Sequence, residues 1–107
     1  MSGSPTTQVL RLVELVDYQP GAVVSRQISK SEAGNVTLFA FDSGQELAEH
    51  TAPFQALVHV LEGTARVRIA AQPFELQAGD SILMPAGVPH SLSALSRFKM
   101  LLTMIRG

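Results

Sequence analysis

Short runs of β-branched and other apolar residues alternate with turn residues along the chain from residue 22 onward. Glycine, proline, asparagine and aspartate separate the runs, which is typical of β-strands joined by tight turns. No run has the length and 3.6-residue periodicity of a globular helix. The pattern predicts an all-β chain that folds as a sandwich, a barrel or a jelly roll. The predicted strands lie in AVVSRQIS, NVTLFAF, FQALVHVLE, ARVRIA, SILM, HSLSAL and RFKMLLTMIR.

The first part of the chain has a different pattern. Residues 1–7 are small and polar, which predicts a flexible tail. The apolar residues of segment 9–18 fit one face of a helix as well as a short strand, and we predict a strand followed by a turn. We expect residues 8–107 to form a single domain, since 107 residues is a typical length for one.

Two predicted strands have apolar side chains on both faces. In residues 56–61, alternation places Leu57, His59 and Leu61 on the face opposite three further apolar residues. Residues 98–105 show the same property. A small barrel has only one interior, so the outer apolar face needs a second cover. We therefore predict a homodimer, with His59 pointing out of the barrel.

Composition excludes several classes of partner. Eight basic and nine acidic side chains are spread along the chain without a basic stripe, so we expect no nucleic-acid partner. No apolar run approaches membrane-spanning length, and the N-terminus lacks a signal-peptide core, so we predict a cytoplasmic protein with no membrane partner. The absence of cysteine excludes disulfides and thiolate metal sites and is consistent with a reducing compartment.

Two histidines lie among glycine and proline residues at defined spacings: Gly44, His50 and Gly63 form one set, and Gly79, Pro85, Gly87 and His90 form a second. The resulting pattern resembles the two sequence motifs of the cupin superfamily, in particular the small single-domain cupins with one conserved barrel. The resemblance implies a cupin-type jelly roll, also called a double-stranded β-helix, which commonly holds a metal ion. We also expect Gly87 to adopt a positive φ angle in the turn before the second histidine.

The set of metal ligands that the resemblance implies is incomplete. The family pattern would place a histidine at position 52 and a glutamate at position 56, where this chain has Ala52 and Ala56. His50 and His90 remain as candidate metal ligands, whereas a catalytic first-row metal commonly has three protein ligands. We therefore predict a degraded site that holds a divalent metal such as zinc, nickel or copper only weakly.

The remaining residues suggest a binding function. We predict that a small molecule binds in the barrel against His50, Phe54, Gln55 and His90. The alternative is a metal-dependent enzyme of the dioxygenase or isomerase type, whose site His50 and His90 would form together with water or Gln55. A third possibility is that His50 and His90 are neutral, hydrogen-bonded histidines near the barrel mouth without further function. The sequence leaves open whether any reaction is catalysed.

Overall fold

The computed structural model describes residues 7–106, so the predicted tail at residues 1–7 lies almost entirely outside the described residues. Within them the chain is built of β-strands and one short 3-10 helix, which confirms the all-β prediction. No described helix has the length and apolar character needed to cross a membrane. The elements are the 3-10 helix Leu12–Glu14, β1 (Val23–Ser31), β2 (Gly34–Phe41), β3 (Glu46–His50), β4 (Gln55–Glu62), β5 (Thr64–Ile69), β6 (Gln72–Gln77), β7 (Ser81–Met84), β8 (His90–Ala94) and β9 (Phe98–Ile105).

The strands form two antiparallel sheets that face each other as a jelly roll. Sheet A has the strand order β1-β2-β9-β4-β7, and sheet B has the order β3-β8-β5-β6. Several neighbouring strands are far apart in sequence, as β2 and β9 are, and their pairing joins the first half of the chain to its last strand. The core lies between the sheets and includes the stacked rings of Phe41 and Phe98, whose centroids are 4.4 Å apart.

The strands β3 and β6 were not among the predicted runs. Each has only one apolar face, as in β6, where Phe74 and Leu76 face the core between polar neighbours. Glutamate and alanine in β3, and proline and glutamate in β6, are depleted in strands, so the composition of both segments gives a weak strand signal.

The prediction of a strand within residues 9–18 is wrong. The segment forms one 3-10 turn and irregular backbone, and it packs across the outer face of sheet A instead of pairing at a sheet edge. Val16 is 4% exposed there and lies in a cluster with Leu38 and Ala40. The apolar residues of this segment are therefore used to cover a sheet.

This N-terminal cover, residues 12–18, is also held by polar contacts. The Lys99 ammonium donates a hydrogen bond to the Val13 carbonyl, and the Tyr18 hydroxyl donates one to the Glu62 carboxylate. Burial raises the pKa of Tyr18, and the hydrogen bond to Glu62 raises it further. Part of the cover that we predicted a second subunit to provide is thus supplied by the chain itself.

The backbone of the hairpin between β5 and β6 is strained, and substitution can remove the strain. Its two linking residues, Ala70 and Ala71, have φ angles of 51° and 69°, a conformation that costs an alanine roughly 1–2 kcal/mol. Such two-residue turns favour Asn-Gly. We expect Ala70→Asn combined with Ala71→Gly to raise the melting temperature by roughly 4–8 °C for each kcal/mol gained, as measured by thermal unfolding.

A control separates relief of this strain from a general effect of glycine. Ala48 is exposed in β3 and is not among the residues with positive φ. Ala48→Gly should leave the melting temperature unchanged or lower it, since glycine gains no conformational advantage there. An unchanged melting temperature in the Ala70→Asn, Ala71→Gly protein would show that the hairpin is not strained.

Candidate functional site

A cavity of about 210 Å³ lies between the sheets. Its walls are apolar and come from both sheets, with Leu92 from sheet B and Met100 from sheet A among them. His50 and His90 are the only residues in its lining with polar side-chain groups. A larger groove on the outside of sheet B, between Glu46 and Arg68, contains neither histidine. The cavity is therefore the candidate functional site.

A β-bulge turns His50 into this cavity. In the pairing of β3 with β8, Leu47 lies opposite Leu92 and His50 lies opposite His90, so β3 has one residue more than β8 over this stretch. Without the extra residue, alternation would place His50 on the face opposite to that of Leu47. With it, both side chains line the cavity.

The turn before β8 delivers His90. Gly87 has a φ angle of 75°, which confirms the predicted positive value. Its N–H donates a hydrogen bond of 2.8 Å to the carbonyl of Ala52, and the N–H of Ala70 donates one to the carbonyl of Pro89. These two bonds attach both ends of the turn to neighbouring loops, so His90 enters β8 in a defined position.

The two histidines contact each other and the backbone through all four ring nitrogens. Their Nε2 atoms are 3.2 Å apart. The Nδ1 atom of His50 is 3.0 Å from the carbonyl oxygen of Ala48, and the Nδ1 atom of His90 is 3.2 Å from that of Val88. A carbonyl oxygen only accepts, so each Nδ1 must carry the hydrogen of its ring.

This arrangement lacks one hydrogen. Two neutral imidazoles carry one N–H each, and both hydrogens are used at the Nδ1 atoms. The two Nε2 lone pairs therefore face each other at hydrogen-bonding distance with no hydrogen between them. A proton, an acidic ligand or a cation would complete the contact.

The surroundings of His90 favour its neutral form. His90 is 5% exposed, and burial lowers its pKa, as does the charge of His50; the hydrogen bond to Val88 opposes both effects. His50 lies at the exposed end of the pair. Burial therefore favours the neutral form of His90, whose Nε2 lone pair can accept a hydrogen bond.

Three of the four predicted ligand-binding residues line the cavity. His50, His90 and Phe54 are among its walls, and the Arg106 guanidinium lies 4.8 Å from the centre of the Phe54 ring. Gln55 is exposed and is not part of the lining, because its neighbour Ala56 is the residue of β4 that points inward. The structure therefore does not bring Gln55 to the other three. Arg106 was not foreseen, since nothing in its sequence neighbourhood relates it to Phe54.

The residues present do not fit a resident catalytic metal. The 3.2 Å between the Nε2 atoms would suit two ligands of one ion, and an Nδ1–H bonded to a carbonyl is usual for metal-bound histidine. However, Ala52 and Ala56 line the cavity where the family pattern has two further ligands. Among residues 7–106, no three histidine, cysteine, aspartate or glutamate side chains come together as a potential metal site. Two imidazoles leave such a centre one protein ligand short.

Comparison with known proteins agrees with the fold. A conserved protein of unknown function from Streptococcus pyogenes is 33% identical, with a TM-score of 0.90 over 97% of this chain and 91% of that chain. A cupin superfamily protein from Desulfitobacterium hafniense is 26% identical, with a TM-score of 0.89 over 96% of this chain and 94% of the other. A cupin 2 conserved barrel domain protein from Leptotrichia buccalis is 35% identical, with a TM-score of 0.88; 91% of this chain covers 47% of that one.

A family model matches most of the barrel that the structure describes. A search of curated proteins found no match. The model of the cupin domain family matches residues 37–105, which include both histidines and both motifs. This chain is therefore a member of the cupin family, with a cupin-type jelly-roll fold.

Proposed function

We propose that this protein binds a small, largely apolar molecule with one acidic group in the cavity between the two sheets. The observation that carries the proposal is the His50–His90 pair, whose Nε2 atoms meet at 3.2 Å in an otherwise apolar cavity. An apolar cavity favours an apolar ligand body, and a few polar groups fix its orientation.

The size of the cavity limits the ligand. Its volume of about 210 Å³ exceeds the roughly 150 Å³ of an engineered apolar cavity that binds benzene. A ligand of one aromatic ring, or a branched aliphatic chain of similar size, with one small substituent is therefore the appropriate class. Phe54 at the wall provides a surface for an aromatic or aliphatic face.

The chemistry of the histidine pair selects the substituent. A carboxylic acid or an acidic hydroxyl supplies the hydrogen that the pair lacks, and its conjugate base then balances the positive charge on the imidazoles. The complex as a whole is neutral, which suits an apolar cavity. A neutral amide or alcohol of the same shape does not provide this charge balance.

The second candidate is a metal-dependent cupin enzyme that acts on the same type of ligand. The spacing of the two Nε2 atoms favours it, and the alanines at positions 52 and 56 oppose it. We place binding first because it requires no protein residue beyond those that line the cavity.

Calorimetric titration with benzoate and benzamide tests the proposal, since the two probes have nearly the same shape and only benzoate is the base of an acid. We expect benzoate to bind roughly 10–100-fold more tightly than benzamide at neutral pH, because the pair takes up a proton from solvent and only the carboxylate balances its charge. His90→Leu should remove this preference.

A second variant controls for the location of the ligand. Ala52 lines the cavity, so Ala52→Leu should fill part of it and weaken both probes while leaving the histidines in place. Equal affinity for the two probes would contradict the acidic ligand class. If neither probe binds to the folded protein, the proposed binding function is contradicted for ligands of this size.

A further inference from the structure

We infer that Arg106 binds a second anionic group of the ligand at the mouth of the cavity, beside Phe54. The inference rests on the proposed function, because it concerns the same ligand in the same cavity. It narrows the ligand class from small acids to small diacids. One acidic group reaches the histidine pair, and the other stays at the mouth, outside the apolar volume.

The end of β9 places Arg106 at this mouth. Ile105, the last residue of β9, pairs with Gly34 on β2 and with Gln55 on β4. Arg106 therefore leaves the sheet between the ends of these two strands. Its N–H donates a hydrogen bond of 2.8 Å to the carbonyl of Ala33. The backbone of Arg106 is thus held beside the start of β4.

The side chain of Arg106 contacts a wall of the cavity. Its guanidinium lies over the ring of Phe54, 4.8 Å from the ring centre, and Phe54 lines the cavity. A guanidinium at this distance is attracted by the negative face of the ring. Phe54 is half-buried and Arg106 is exposed, so the cavity borders on solvent at this wall. The ring therefore holds a planar set of N–H donors at the rim of an apolar cavity.

No carboxylate among residues 7–106 neutralises the charge of Arg106. The ion pairs in this part of the chain join Arg97 to Asp42 and Lys99 to Glu62. Arginine binds a carboxylate through two parallel N–H···O bonds, which are stronger than hydrogen bonds between neutral groups. A carboxylate on a bound ligand would supply the partner that the described residues do not.

Arg68 shows which feature distinguishes Arg106 from the other arginines. Arg68 is also exposed and also lies outside the two ion pairs of the described residues. However, it faces the groove on the outside of sheet B and does not line the cavity. The contact with Phe54, and not exposure alone, therefore assigns Arg106 to the binding site.

The two polar parts of the site define the ligand. One acidic group lies at the Nε2 atoms of His50 and His90, and the ligand body packs against Phe54. A second substituent that emerges beside Phe54 meets the guanidinium of Arg106 on the same ring. Because the mouth is open to solvent, a charged group there keeps part of its hydration. A benzene ring with two carboxylates in meta or para positions is the simplest ligand of this class.

Calorimetric titration with isophthalate, terephthalate and their monoamides tests the inference. Each monoamide has nearly the shape of its diacid and keeps one carboxylate for the histidine pair. We expect at least one diacid to bind roughly 3–10-fold more tightly than its monoamide, because a bidentate arginine contact is strong but partly screened at an exposed site. Arg106→Gln should abolish this preference. The control Arg68→Gln removes the same charge from the outside of sheet B and should retain it.

The readout is a ratio of two affinities for one protein, so a general weakening of binding by a substitution does not change it. The preference for the diacid should shrink as salt is raised, because ions screen exposed charges. Equal affinity for each diacid and its monoamide, with benzoate still preferred over benzamide, would overturn the inference and leave the proposed function intact. A preference that persists in the Arg106→Gln protein would also overturn it. Loss of the benzoate preference in the unaltered protein would instead contradict the proposed function itself.

Discussion

Replacing Gly63 by alanine is expected to prevent folding or to lower the free energy of unfolding by at least about 4 kcal/mol, which is a large part of the total stability of a small domain. Gly63 links β4 to β5 with a φ angle of 80°. A Cβ atom there would lie 1.9 Å from the carbonyl oxygen of Arg97 and 2.7 Å from the Cα atom of Phe98. Phe98 is fully buried against Phe41, so the backbone at the start of β9 cannot move away without disrupting the core.

Gly87→Ala is the matched control for this substitution. Gly87 has a similar φ angle of 75°, but a Cβ atom built there has no neighbour within 4 Å. The control should therefore cost only the conformational penalty of roughly 1–2 kcal/mol. Chemical denaturation of both variants measures the difference, and similar losses of stability would show that the close approach of β9 to Gly63 is not the cause.

Replacing Ala52 by histidine together with Ala56 by glutamate is expected to raise the affinity for zinc or nickel on the order of 100-fold or more. Both alanines line the cavity with His50 and His90, so the new side chains would point toward the same two Nε2 atoms. The unaltered protein offers two imidazoles, which should hold a divalent ion loosely and lose it to a mild chelator. Four protein ligands bring the site to the number found in closed metal centres, where binding is far tighter.

The neighbouring positions provide the control for the added ligands. Thr51 and Gln55 are exposed and do not line the cavity. Thr51→His with Gln55→Glu introduces the same two residue types outside the site and should leave the affinity unchanged, as followed by competition with a chromophoric chelator. Tight retention of one metal ion per chain by the unaltered protein would contradict the incomplete-site interpretation and favour the metal-dependent enzyme.

Much of the architecture follows from the order of residues alone. The alternation of apolar and polar residues, with glycine and proline between runs, predicted most of the strands of both sheets. The spacing of glycine, proline and histidine in two motifs predicted the cupin-type jelly roll, which the family comparison confirms. Such signals are local, since each depends on the period of a strand or on the φ angle that a turn requires, as at Gly87.

The local patterns failed where a segment depends on a distant surface. Residues 9–18 are apolar enough for a strand. However, the surface that they cover is the outer face of sheet A, which includes the last strand of the chain. That surface exists only after β2, β4 and β9 have paired, so no window of sequence around residues 9–18 contains it. β3 and β6 were missed because their pairing, not their composition, makes them strands.

The candidate site shows the same division. The sequence by itself determined that His50 and His90 are the histidines of the two motifs, and that alanines occupy positions 52 and 56. Only the tertiary structure decided that a bulge in β3 turns His50 inward, that the two Nε2 atoms meet at 3.2 Å, and that Gln55 points away. A bulge changes the face of every following side chain, and its position depends on how one strand matches another in register. That match involves two segments forty residues apart. The contact between the two histidines is therefore visible in the folded chain and not in either motif.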